Sequence, residues 1–179
     1  MFIRTMPSAP SIVASAAKPI GNHDELLERI GDSEIVLIGE ASHGTHDFYA
    51  VREALTRRLI AEKGFRIVAL EADWPDALRV NRYVSGCSDD NSANEALGGF
   101  RRFPTWMWRN TVMEGFVDWL KEWNCGSDGR ETAGIFGMDL YSMHTSMQSV
   151  LAYLGKVDPE AAKRARERYS CFDHFGGDP

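Results

Sequence analysis

The sequence predicts an α/β protein with a parallel-sheet core, flanking helices and a helical insertion, and three observations carry that reading. Three short apolar runs, Ile35-Val36-Leu37-Ile38, Ile67-Val68-Ala69-Leu70 and Ala133-Gly134-Ile135-Phe136, lack the polar alternation of a half-solvated strand. They read as strands buried on both faces of a parallel sheet. Helical spacing of apolar residues fills the gaps between them. Each run also leads directly, or after one or two residues, into an acid: Glu40, Glu71 and Asp139.

Taken in order, residues 1–20 hold Arg4, Pro7, Pro10 and a run of small residues, a poor apolar region for a signal peptide. They are expected to form a flexible tail. A short helix follows over residues 23–30, with Asn22 as its cap, early acids, and Leu26, Leu27 and Ile30 on one side; Gly31 ends it. In residues 45–63, Phe48, Val51, Leu55 and Leu59 recur at helical spacing before Gly64, which predicts a crossover helix and hence a βαβ unit. After the second strand, Asp73 is placed to cap a helix carrying Trp74, Ala77, Leu78 and Tyr83, with Pro75 tolerated in its first turn. Residues 85–104 read as irregular. A stronger helix is expected from Thr105, with Trp108, Val112, Phe116, Trp119 and Trp123 along a core-facing stripe that ends near Asn124. The polar insert 127–132 leads into the third strand, and two helices follow at 143–155 and 159–169.

Composition bounds the function. In 179 residues, 44% apolar and 26% charged side chains describe a globular chain with one core. The net charge of -6, with no block of Lys or Arg, argues against a nucleic-acid partner. No apolar run approaches the roughly 20 residues needed to span a bilayer, so no membrane partner is expected. Cys87, Cys125 and Cys171 are odd in number and lack metal-ligand spacing, which suits reduced thiols in the cytoplasm.

The chemistry is expected where parallel strands end, because ligands of open α/β proteins bind outside the carboxyl edge of the sheet. Neighbouring strands lie about 4.8 Å apart, so Glu40, Glu71 and Asp139 would share a cleft. Such crowding raises at least one carboxyl pKa unless cations enter. The loop Gly39-Glu40-Ala41-Ser42-His43-Gly44-Thr45-His46 is compact and rich in proton-transfer groups. His43 is its natural general base, with Glu40 or Glu71 orienting the ring. His46 reads either as a mouth residue or as a solvated first-turn residue. Arg52 lies on the helix face opposite the apolar stripe, in line with Tyr49 and Thr56, and is able to reach back to Glu40, Glu71 or a developing oxyanion. Its plainer reading is a surface Arg paired with a helix acid. A serine nucleophile at Ser42 is disfavoured because the Gly-x-Ser-x-Gly turn is absent. A metal held by His43 and the acids is disfavoured because no diagnostic ligand spacing is present.

The strings Gly39-Glu40-Ala41-Ser42-His43-Gly44-Thr45-His46-Asp47-Phe48, Leu70-Glu71-Ala72-Asp73-Trp74, Phe103-Pro104-Thr105-Trp106-Met107-Trp108-Arg109-Asn110 and Gly137-Met138-Asp139-Leu140-Tyr141 together resemble the erythromycin esterase family. The resemblance implies hydrolysis of a macrolactone-like carboxylic ester by histidine-activated water, without a covalent intermediate or a cofactor. By motif position it assigns catalysis to His43, supported by Glu40, Arg52 and Glu71. The small-molecule ester would be contacted by His46, Trp106 and Asp139, the last from the strand-end argument alone. Family members are much longer, and a further histidine region of their cleft lies downstream of Pro179. Residues 21–179 are therefore expected to be the N-terminal part of such a domain, incomplete at the C-terminus. If so, either the tryptophan stripe or the helices after Tyr141 should leave an apolar patch exposed. The alternatives are a metal-dependent hydrolase of another ester and a non-catalytic binding protein of the same fold.

Overall fold

The structure is a computed structural model and describes residues 8–19, 21, 23–126, 131–139 and 141–174. The chain divides into two compact units, Met1–Val36 and Leu37–Pro179. The first holds α1 (Ala9–Ala16), with no buried residue, and α2 (Asp24–Ile30). The expected cap Asn22 and the motif residue Leu140 lie outside the described residues, as do residues 127–130 of the polar insert.

The second unit is helix-rich with a small parallel sheet. Its elements run α3 (His46–Lys63), β1 (Ile67–Asp73), α4 (Trp74–Val84), α5 (Ala93–Leu97), a 3-10 turn (Thr105–Met107), α6 (Thr111–Cys125), β2 (Gly134–Asp139), α7 (Met143–Val157), α8 (Pro159–Tyr169) and a final 3-10 turn (Ser170–His174). β1 and β2 pair in parallel, Val68 opposite Ile135 and Ala69 opposite Phe136, with an irregularity between Leu70 and Asp73. Both strands outrun their apolar runs, so Glu71 lies within β1 and Asp139 closes β2.

One expected strand is missing among the described residues. The run at 35–38 has no ladder partner, and Ile35 and Leu37 are 78% and 92% exposed. The physical reason is that apolarity does not make a strand; a paired neighbour does, by taking up its backbone groups. The sheet itself is packed on one face. Val68, Leu70 and Ile135 join the core with Val80, Val84, Val117 and Leu120, whereas Ile67 and Met138 on the other face are 69% and 66% exposed. The tryptophan stripe is packed: Trp108 and Phe116 are buried and Trp119 and Trp123 lie against the core. Among the described residues, the large apolar side chains exposed after Tyr141 are Met143, Tyr153 and Val157 of α7.

Two side chains staple β2 in place. Asn81 of α4 accepts from the Ile135 N–H at 2.9 Å, so a ladder position left open at the sheet edge is satisfied by a helix. Asn124, buried at the end of α6, donates to Val84 O and Ala133 O and accepts from the Ala133 N–H, each at 2.9 Å.

Three helix starts depart from the sequence reading, one in its position, one in its presence and one in its capping bond alone. α6 starts one turn late because Asn110 rather than Thr105 caps it, accepting from the Met113 N–H at 3.0 Å. Trp108 therefore sits before the helix. Within the stretch read as irregular, Ser92 caps α5 by accepting from the Glu95 N–H. Asp73 occupies the N-cap position of α4 without a capping bond, its carboxylate accepting instead from the Ser142 N–H at 3.0 Å. On α3 the buried stripe is Tyr49, Leu55, Leu59 and Ile60, while Phe48 is exposed. The Tyr49 and Arg52 face, expected to point away from the core, is thus the inward one.

Candidate active site

The loop before α3 and the second turn of α3 bring an acid, a histidine and an arginine into a chain of contacts. His43 Nδ1 lies 2.5 Å from Glu40 Oε1. Glu40 Oε2 lies 2.6 Å from Arg52 Nη1, an ion pair by distance though poorly aligned for a hydrogen bond. The carboxylate is 10% exposed and the imidazole 47%, so the acid is sheltered and the base is open. An ionised carboxylate only accepts, which places the imidazole proton on Nδ1 and leaves Nε2 as the free acceptor. Arg52 reaches this position because α-helical side chains lean toward the N-terminus. Its guanidinium lies 4.6 Å from the Tyr49 ring centroid and 5.7 Å from that of Trp108.

His43 opens on a cleft of about 360 Å³ that Gly44, His46, Tyr49 and Trp106 also line. Gly44 has a φ of 91°, and a Cβ there would stand 2.8 Å from Trp106 Cζ3. Only glycine combines this left-handed backbone with so close an approach of the indole. His46 is the first residue of α3 and is exposed. Tyr49 is buried. Its hydroxyl has no hydrogen-bond partner among the described residues, although the Gly44 amide and the Arg52 guanidinium stand beside it. Burial and then the Glu40 carboxylate push its pKa up, so the phenol stays protonated in the neutral range.

Among the described residues the other two acids, Glu71 and Asp139, are not bonded into this chain of contacts. Trp108 Nε1 donates to the Glu71 carbonyl at 3.2 Å, which ties the end of β1 to the ring beside Arg52. No hydrogen bond or ion pair among the described residues joins the Glu71 carboxylate to His43 or Arg52; Glu40 fills that place. Asp139 stands opposite Asp73 in the sheet register, with no bond to His43. No group of three or more His, Cys, Asp or Glu among the described residues is arranged to hold a metal. Cys87, Cys125 and Cys171 are free and exposed, and no described helix is long and apolar enough to cross a membrane.

Carboxylate crowding does occur, at a residue the sequence reading passed over. Asp76, in the first turn of α4, is pushed up to about 6 by burial and then by the Asp73 carboxylate, with Arg79 and Arg101 opposing. Its Oδ1 packs against Gly99, where a Cβ would approach within 2.9 Å. The signal was the Asp-x-x-Asp spacing, which brings both acids to one helix face. Between the ordinary carboxyl value near pH ~4 and about 6, the folded chain keeps a proton that the unfolded chain has released. Stability from this group is therefore full below that window and lost as pH rises through it. Asp76→Asn should raise the melting temperature at pH 8 and change it little at pH 3.5. An equal effect at both would remove the assigned cause.

Fold and site together define a helix-rich α/β protein with a carboxylate-oriented histidine at the mouth of a cleft. The sequence profile described as erythromycin esterase matches residues 60–179, and the chain belongs to that family. That match begins after His43 and Arg52. Among curated relatives, "Erythromycin esterase type II" of Escherichia coli is 28% identical over 150 residues, 80% of this chain and 34% of its own. The chain thus spans about a third of that relative. Two solved structures share the fold. One, titled a succinoglycan biosynthesis protein, superposes with a TM-score of 0.71 at 22% identity over 90% of this chain and 39% of its own. The other, a Bacillus cereus protein, gives 0.66 at 23% identity over 84% and 35%.

Proposed function

We propose that this chain supplies the general base of a carboxylic-ester hydrolase in which His43 activates water directly. The observation that carries the proposal is the bond between His43 Nδ1 and the sheltered Glu40 carboxylate. It fixes the tautomer in which Nε2 accepts a proton from water. The hydroxide oxygen then bonds to the ester carbonyl carbon, whose π electrons move to oxygen. On collapse the acyl C–O bond breaks, and the leaving alkoxide takes the proton from Nε2. Glu40 stabilises the intervening imidazolium, and Arg52 holds Glu40 in place.

Family membership and the relative's name support an ester substrate, and a macrolactone-like small molecule is the class we assign. His46 and Trp106 line the cleft and are the proposed substrate contacts. Glu71 and Asp139, with no bonds to the histidine, are proposed to meet substrate rather than to orient the base. The protein is proposed to work without a cofactor.

p-Nitrophenyl acetate tests this reading, because a small activated ester needs a base and water rather than an extensive binding cleft. Release of p-nitrophenol should be linear from the first turnover. A burst equal to the enzyme concentration would show a covalent acyl intermediate and contradict direct water attack. Activity abolished by chelation and restored by a divalent ion would replace it with the metal-dependent reading.

A further inference from the structure

An ion pair at a protein surface has little fixed geometry of its own, because two long side chains lose entropy in holding it. Arg52 nevertheless stands in one place. Tyr49 and Arg52 are three residues apart on α3 and share a face. The backward lean of the Arg52 stem brings its guanidinium over the Tyr49 ring, and Trp108 presents a second ring from the segment before α6. Both rings are themselves immobilised: Tyr49 is 4% and Trp108 7% exposed. Trp108 is pinned further by its Nε1 bond to the Glu71 carbonyl and its ring contact with Phe100. A planar guanidinium stacks on aromatic faces in a way that an ammonium does not.

We propose that Tyr49 and Trp108 act as an aromatic clamp on Arg52, and that this clamp, through Arg52 and Glu40, sets the tautomer and orientation of His43. They are positioning residues and act through Arg52. The reading rests on His43 being the base, yet its test reads the imidazole and not hydrolysis. The clamp works through the ring of Tyr49; its hydroxyl stands beside the Gly44 amide and the Arg52 guanidinium but makes no well-aligned hydrogen bond among the described residues. The groups facing the Arg52 head are Glu40, Tyr49 and Trp108.

The experiment is side-chain ¹⁵N–¹H correlation spectroscopy of His43 at a pH where the ring is neutral, on the ¹⁵N-labelled 179-residue chain, with His43→Gln used to assign the signals. The wild-type chain should show the Nδ1–H tautomer, whereas free imidazole side chains favour Nε2–H. Tyr49→Leu should lose the Nδ1–H preference, and Tyr49→Phe, which keeps the ring, should retain it. Arg52→Lys keeps the charge and the surrounding core but loses the stacking plane, and it should lose the preference even where Tyr49→Leu does not fold. Nδ1–H retained in Arg52→Lys, or in a folded Tyr49→Leu, would overturn the clamp, as would a wild-type ring in the Nε2–H form. A failed clamp with His43-dependent hydrolysis intact would leave the catalytic reading standing. A clamp that holds in a chain indifferent to His43→Ala would leave only the geometry.

Discussion

Replacing His43 with Ala should reduce ester hydrolysis by about 10²- to 10⁴-fold, the usual range for a positioned general base, while the chain stays folded. The side chain is 47% exposed and is bonded to Glu40 among the described residues, so its removal opens no cavity in the core. Glu40→Gln should cost less. The amide can still accept from Nδ1–H, but it offers no charge to stabilise the imidazolium. His46→Ala, which removes only a cleft wall, should affect KM more than kcat. Full activity in His43→Ala, with circular dichroism unchanged, would remove the assigned base.

The largest effect on stability is expected at Asn124. Asn124→Ala leaves the Val84 carbonyl and both backbone groups of Ala133 without the partners they have in the folded chain. A buried polar group left unpaired costs about 1–3 kcal/mol, so three together should cost on the order of 3 kcal/mol or more even if water reaches one of them. In a chain of this size that corresponds to a fall in melting temperature of roughly 10 °C. Asn124→Asp keeps an acceptor for the Ala133 N–H but sets a carboxylate against two carbonyls, and should be no better. A melting temperature within a degree of wild type would mean that the Asn124 bonds contribute nothing measurable to holding β2.

Much of this architecture is written in the sequence because apolar spacing reports burial directly. The helices at 46–63, 74–84, 143–157 and 159–169 and the strands at 67–73 and 134–139 follow from it. What spacing does not report is pairing. The run at 35–38 has the composition of a strand, yet a strand needs a partner, and composition names none. Capping was misread where a local bond competed: Thr105 and Asn110 are both good caps, and only the fold shows which one meets a free N–H. The contacts of Glu40 with His43 and Arg52 were legible because they are local, all three residues lying within one loop and two helical turns. Glu40 and Glu71 were both open as the acid that orients the histidine, because strand ends converge. Glu40 is the one bonded to it, and β1 is tied to the site through the Glu71 carbonyl. Tyr49 escaped because the spacing placed it with Arg52 on the face away from the core, where a ring has nothing to hold, and Asn124 because a polar residue near a helix end looks like a boundary.

The most direct test of the central claim is chemical rescue of the cut-out base. In His43→Gly, whose site remains open to solvent as His43 is in the wild type, p-nitrophenyl acetate hydrolysis should be low and should rise with added imidazole toward saturation. Imidazole should add no saturable rate in the wild-type chain. The same saturating rescue should disappear in His43→Gly combined with Glu40→Ala, because the added ring would lose the carboxylate that seats it. Equal hydrolysis by His43→Gly and the wild type without imidazole, or a purely linear imidazole dependence in the variant, would contradict the assignment of His43 as the base.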